Sequence, residues 1–491
     1  MLTTISKFIA ALNKNEIRYC HWKSNFALAE TVAGQTDIDL LVHRKDASLF
    51  RIILGQLCFK PAETTDGEPF PSVEHYFALD EESGVLAHVH AYFRVITGES
   101  LTKNYRLPIE EMLLQNTREV GSLRVPAKSA ELIVFTLRMM LKHTSLVELV
   151  LLARYWRQVQ QEIKWLLETD SIDETLRLVD HWLPALDTGL FSNCVAALKS
   201  PASLCRRIIL GHRLRSQLSP YARHSAIRAW LDGVQKFLIM LFRRLTRSQK
   251  GMIPRDGGAL IAFVGSEATG KSTLLAAMKS WLGEHFAVEQ IHVGKPKATI
   301  LSAVPNVLVP ALRAMLPTYR SSHLESQHTC HKQSEQWRKG YPLIFGIRSA
   351  LLAYDRRSLL SRAFGRATNG TVVLCDRYPS LQSGAPDSPQ LSHLPASLNR
   401  YSIRRLLTRI EARLYRDIPP PDLVIYLSAP LEVTVSRNAT RGKKEPEDYV
   451  RWRHARSSSL EFEKTPVHKI NTDQPLDQTV LEVKKAIWNA L

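Results

Sequence analysis

The chain has 491 residues, 45% of them hydrophobic, with 65 Lys and Arg against 47 Asp and Glu, a formal net charge of +18. That hydrophobic share fills real cores and excludes global disorder, and the length suggests two to four domains. The positive balance points to an anionic partner.

Six cysteines, at 20, 58, 194, 205, 330 and 375, form no CxxC pair. This argues against a disulfide scaffold or zinc ribbon and fits a reducing, cytoplasmic location. The opening segment MLTTISKFIAALNKNEIRY reads as an amphipathic helix rather than a leader. No uncharged apolar run reaches the length of about eighteen residues that a spanning helix needs. The charge is unevenly placed: residues 1–126 carry −3, 127–198 carry −2, 199–255 carry +12 and 256–491 carry +11.

Residues 1–126 alternate β-rich runs (DIDLLV, GVLAHVHAYF) with helical patterns, as in a small α+β domain. Asp37 and Asp39 stand at alternate positions of one strand, so both carboxylates face one side, where paired acids can hold Mg²⁺ for attack on a nucleoside triphosphate. The segment 21–42, HWKSNFALAETVAGQTDIDLLV, resembles the polymerase-β-like nucleotidyltransferase superfamily, particularly its minimal bacterial branch. The resemblance implies a G[GS] turn before the acids and a third carboxylate on a later strand. Lys23-Ser24-Asn25 stands at the turn, and VLAHVHAYF offers His88 and His90 in place of the carboxylate. Neutral imidazole lacks the negative charge Mg²⁺ prefers, so catalysis is expected to be altered or lost.

From 127 to 247 the pattern is helical, punctuated by Pro201 and Pro220, and basic towards its end. In HSAIRAWLDGVQKFLIMLFRRLTRS the apolar residues Ile227, Trp230, Leu231, Val234, Phe237, Leu238, Leu241 and Leu245 follow helical spacing. Three readings fit the segment 206–247: a helix docking its apolar face on a neighbouring domain, peripheral contact with an anionic membrane at its inner face, or nucleic-acid binding. The last is disfavoured because the aromatics lie in the apolar stripe and not among the arginines. The stretch 248–258, SQKGMIPRDGG, reads as a linker.

After it, from 259 to 491, strands alternate with helices, the pattern of βαβ units and a parallel sheet. Gly265-Ser266-Glu267-Ala268-Thr269-Gly270-Lys271-Ser272 matches G-x-x-x-x-G-K-[ST] and is followed by Thr273; ALIAFV precedes it as a buried strand and STLLAAMKSWL follows as a helix. The glycines let backbone N–H groups turn inward around phosphate oxygens, Lys271 neutralises β/γ charge, and the Ser272 hydroxyl is a Mg²⁺ ligand. TVVLCD ends in Asp376 at the C-terminal end of a strand, where an acid serves metal or acceptor. Arg437, Arg441, Lys443 and Lys444 crowd the end of the helix after DLVIYLSAP, suited to stabilising a transferred phosphoryl group. His323, His328, Cys330 and His331 match no familiar zinc spacing.

Residues 258–491 resemble the thymidylate kinase family of nucleoside monophosphate kinases, through the phosphate loop, LLAYDRRSLLSRA (351–363), the CDRY segment with Ser383-Gly384, and PDLVIYLSAPLEVTVSRNATRG (421–442). The resemblance implies that Arg356 and Arg377 grip an acceptor phosphate, that Asp376 sits at metal and acceptor, and that Arg437 and Arg441 belong to a lid. Two departures stand out: His292-Val293-Gly294-Lys295-Pro296 replaces a TREPG-like segment, and Ser428 replaces an acid. The fold class expected is multidomain α/β: a small α+β nucleotidyltransferase-like domain, a helical region and a parallel-sheet P-loop domain. The function expected is ATP- and Mg²⁺-dependent phosphoryl transfer to a nucleotide or other phosphate-bearing small molecule. Two alternatives are an ATP-gated scaffold without kinase activity and a nucleic-acid end-processing enzyme.

Overall fold

The structure, a computed structural model, describes all residues except 66–71, 100, 143–145, 169–171, 200–203, 246–250, 295, 297–342, 381, 383–384, 386, 394–401, 441–444, 458–459 and 463–464. The chain divides into two compact units, Met1–Ser248 and Gln249–Leu491.

In the first unit the alternating segments become a mixed sheet. Strands β1 (Tyr19–His21), β2 (Ile38–Val42), β3 (Lys60–Thr64), β4 (Val73–Leu79) and β5 (Leu86–Tyr92) lie in the order β1-β2-β5-β4-β3. Only β2 and β5 are parallel, with Asp39 opposite His90. Because side chains alternate along a strand, Leu40, Val42, Val89 and Ala91 face one way. They pack with Ile5, Phe8 and Leu12 of α1 (Thr3–Lys14) and Phe50 of α2 (Ala47–Gln56). On the other side Trp22, Leu41 and Tyr92 join a core built from Leu132 and Phe135 of α3 (Lys128–Lys142), Phe191 of α6 (Thr188–Lys199) and Leu214 of α7 (Leu204–Gln217). The helices α4 (Leu146–Leu166) and α5 (Ile172–Trp182) complete that layer. Asp39, His88 and His90 share this second face, which positions them between sheet and helices.

The last helix of the unit, α8 (Ala226–Leu245), turns its apolar stripe away from the rest of its own unit. Among its residues of described burial, the half-buried ones are Ala229, Asp232, Gly233 and Lys236, and a Cβ on Gly233 would lie 3.4 Å from Thr102. The apolar stripe faces outwards, with Ile227 76% and Trp230 66% exposed. No helix among the described residues is long and apolar enough to cross a membrane.

In the second unit β6 (Leu260–Gly265), β7 (Val288–His292), β8 (Val372–Asp376), β9 (Leu423–Ser428) and β10 (Val467–Asn471) form a parallel sheet in the order β7-β8-β6-β9-β10. Leu260, Ala262, Val264, Val373 and Cys375 pack with Leu360, Ala363 and Ala367 of α10 (Leu343–Thr368). The alternate residues Ile261, Phe263, Leu374 and Ile425 are buried too, as in strands covered on both faces. The other helices among the described residues are α9 (Lys271–Gly283), α11 (Ile403–Arg416), α12 (Leu431–Thr440), α13 (Glu447–Ser457) and α14 (Leu476–Ala490). Strand order reverses at β6, whose neighbours β8 and β9 come later in sequence, so the phosphate loop opens at the crevice where parallel sheets bind ligands.

Within the segment expected to be a linker, Met252–Pro254 is a short strand. Met252 N donates to His285 O at 2.7 Å and Ala287 N to Met252 O at 2.8 Å. Gly251 permits this approach: at φ 135° its missing Cβ would fall 2.4 Å from the Phe286 carbonyl carbon.

Candidate active site

The phosphate loop leaves β6 at Gly265 and enters α9 at Lys271. Gly265 has φ 145°, and a Cβ there would sit 2.3 Å from Leu427 O on β9, so only glycine lets the loop lie this close to the sheet. Gly270 caps α9 with φ 86°. Thr269 Oγ1 donates to Ser266 O at 2.9 Å, and Lys271 Nζ donates to Gly265 O at 3.1 Å and to Ser266 O. Burial brings the Lys271 ammonium down to about 8, against the opposing pull of Glu267. Ser272 and Thr273 open the helix and are exposed. Backbone donors at a helix N-terminus, one buried ammonium and an accessible hydroxyl suit a polyphosphate and its metal ion.

Around the loop, three arginines and two acids interlock. Glu267 Oε1 lies 2.7 Å from Arg377 Nη2 and 3.5 Å from Arg453 Nε. Asp387 lies 2.8 Å from Arg356, 3.2 Å from Arg377 and 3.5 Å from Arg453. Burial works against both carboxylates, but Lys271, Arg377 and Arg453 hold Glu267 down to about 2, and the three arginines hold Asp387 well below the ordinary range. Arg377 has a left-handed backbone, φ 72°, while its N–H donates to Phe263 O at 3.0 Å. Such a conformation costs free energy outside glycine, and here it accompanies a side chain directed at the loop.

The two arginines assigned by resemblance to an acceptor phosphate therefore both enter the network. Arg356, buried on α10, also donates to Val293 O at 3.2 Å and to the Tyr415 hydroxyl at 2.7 Å. Asp376 ends β8 as the strand pattern implies, and its Oδ2 lies 3.1 Å from His292 Nδ1 at the end of β7. That hydrogen bond raises the His292 imidazole above its usual range. Arg437 is tied to the end of β10, donating to Thr472 O at 2.9 Å. Ser428 Oγ donates to Ile470 O at 3.4 Å. Arg441, Lys443, Lys444, Ser383-Gly384 and the His323, His328, Cys330 and His331 group lie outside the described residues.

Sequence reasoning misses Arg453 and Asp387, and meets His292 only within the segment that replaces the TREPG-like element. Arg453 is one of several arginines in RWRHAR, with nothing in its spacing to distinguish it, and Asp387 sits in an aperiodic stretch. His292 was legible in principle, since strand pairing sets it opposite Asp376.

In the first unit Asp37 and Asp39 come together with the predicted His88 and His90, and with Lys23 and His75. Asp37 Oδ1 lies 2.7 Å from His88 Nδ1; Asp39 Oδ1 lies 2.8 Å from Lys23 Nζ and 3.3 Å from His90 Nδ1. His75 is 3.2 Å from both other imidazoles. Burial opposes ionisation of Asp37 and Asp39, yet His88 for the first and Lys23 with His90 for the second hold both below the usual carboxylate range. Burial, then His90 and His88, press His75 down to about 3, which keeps it neutral. Asp39 thus stands in an ion pair with Lys23, while Asp37 is held by His88 and stays exposed. Among the described residues no group of three or more His, Cys, Asp or Glu is arranged to hold a metal ion.

The second unit is thus a parallel sheet covered by helices that carries a phosphate loop at its switch point. No family model matches the chain. Over 249 residues, 49% of this chain and 90% of the relative, it is 25% identical to the uncharacterized ATP-binding protein YghR of Escherichia coli strain K12, and equally to that of strain CFT073. Solved structures it is similar to include thymidylate kinase from Candida albicans, at 14% identity over 47% of this chain and 90% of that one, with a TM-score of 0.28. Another is deoxyadenosine kinase from M. mycoides with bound dATP, at 14% identity over 46% and 97%, with a TM-score of 0.27.

Proposed function

We propose that the chain is a phosphotransferase whose second unit moves the γ-phosphoryl group of ATP to a small, phosphate-bearing acceptor. The observation that carries this reading is the phosphate loop, with Lys271 buried beneath it and Glu267 fixing Arg377 and Arg453 at its rim. That the E. coli relatives are named ATP-binding proteins supports the same nucleotide here.

In the proposed reaction an acceptor oxygen attacks the γ-phosphorus in line while the bond to the β–γ bridging oxygen breaks. Lys271 neutralises β/γ charge. Arg377 and Arg453, pre-set by Glu267 and Asp387, stabilise charge on the moving group without reorganising. Arg356, engaged with Asp387, Val293 and Tyr415, acts as a positioning group for that pair. Ser272 and Asp376 have the oxygen ligands that would hold Mg²⁺, which supplies charge neutralisation between the phosphates. For the first unit, the Lys23–Asp39 ion pair and the imidazoles of His88 and His90 in place of a third carboxylate favour a nucleotidyltransferase-like domain with impaired transfer.

A second reading, an ATP-gated scaffold, draws support from the same network, because the arginines expected at an acceptor phosphate already bind the chain's own acids. Incubation with γ-labelled ATP and Mg²⁺ against nucleoside monophosphates, nucleic-acid ends and sugar phosphates separates the two. Label transfer to one acceptor class supports the kinase; binding or hydrolysis without transfer supports the scaffold.

A further inference from the structure

We propose that α8 lies in the plane of a membrane surface rich in anionic lipid and holds the protein there peripherally. At about 100° per residue, Ile227, Trp230, Leu231, Val234, Leu238 and Leu241 fall within roughly a third of the helix circumference. All six are exposed, Leu238 by 56%.

The seating of the helix is the decisive feature. A helix that serves its own core turns the apolar side inwards, whereas α8 rests on Ala229, Asp232, Gly233 and Lys236 and presents the apolar side outwards. Within its own unit the stripe is therefore uncovered, and the charge of the surrounding sequence points to what it meets. Residues 199–255 contain thirteen Lys and Arg and a single acid, Asp232. Arg243, Arg244, Arg247 and Lys250 follow the stripe in sequence. An apolar face within so basic a segment matches acyl chains beneath anionic headgroups.

Charge argues against the other occupants. A second copy would bring two segments of +12 together. Nucleic acid would need aromatics among the cations to stack bases, but Trp230 and Phe237 lie on the apolar side. A spanning orientation is excluded by Arg228, Asp232 and Lys236 within the helix, which lie in the plane's polar half when the helix lies flat.

The test uses the full-length protein and extruded vesicles of phosphatidylcholine, alone or with roughly one-third phosphatidylglycerol. The protein should co-sediment with the anionic vesicles at least about tenfold more tightly than with the neutral ones, and added salt should weaken binding. Leu231→Glu with Leu238→Glu, both exposed, should abolish vesicle binding and leave the unfolding temperature unchanged. No binding to anionic vesicles, or full binding by the double variant, would overturn the proposal. So would a double variant that converts a dimer to a monomer, or an affinity for RNA that explains the basic segment and ignores the leucines.

Discussion

Arg377 and Glu267 form a 2.7 Å ion pair that ties the end of β8 to the phosphate loop leaving β6. Neither residue is left to that pair alone, because Arg453 reaches Glu267 and both arginines reach Asp387. The loop is thus braced by charges that burial makes costly to separate.

Arg453 gives the first prediction. Arg453→Met removes one cation from two buried acids, and breaking a buried network of this kind costs roughly 3 kcal/mol. Thermal unfolding should show a clear drop for this variant, accompanied by slower ATP turnover. An unchanged unfolding temperature would mean that Arg453 does not brace the loop.

Lys271 gives a prediction about protons. Burial brings its ammonium down to about 8, and the negative charge of a bound polyphosphate would raise it again. Near that pH, nucleotide binding should take up a proton, and affinity should fall as pH rises further. Calorimetry in buffers of differing ionisation enthalpy reads the uptake directly; identical heats in all of them would contradict it.

Gly265 tests the loop's geometry. Gly265→Ala forces a Cβ towards Leu427 O at a backbone angle that side chains rarely adopt. ATP binding should be lost while the first unit's unfolding is unaltered. Retained affinity would show that the loop does not need its close approach to β9.

Much of this site was legible in the sequence. The phosphate loop and the strand ending in Asp376 follow from local periodicity and turn chemistry, while Arg356 was reached only through the family resemblance of LLAYDRRSLLSRA. The first unit's Asp37, Asp39, His88 and His90 likewise share a face because strands alternate. What was not legible depends on distant charges meeting: Arg453 with Glu267, Asp387 with three arginines, and Lys23 with Asp39. The orientation of α8 was also hidden, since an apolar stripe has the same spacing whether it faces a core or faces out.

Glu131 supplies a pH test of the first unit. Burial raises its carboxyl to about 7; one oxygen accepts from Asn25, and Oε2 has no hydrogen-bond partner among the described residues. A carboxyl raised in this way stabilises the fold fully below its unfolded value near 4.5, and that contribution is lost as pH rises through about 7. The wild-type unfolding temperature should therefore decline across that window, and Glu131→Gln should flatten the decline. Equal slopes for both proteins would place the titration elsewhere.

The central claim is that the second unit turns over ATP through its phosphate loop. Its most direct test is Mg²⁺-dependent ATP turnover by the wild type and by Lys271→Ala, with thermal unfolding run on both. Lys271→Ala should lose turnover on the order of a hundredfold or more while staying folded. Undiminished turnover by folded Lys271→Ala would contradict it.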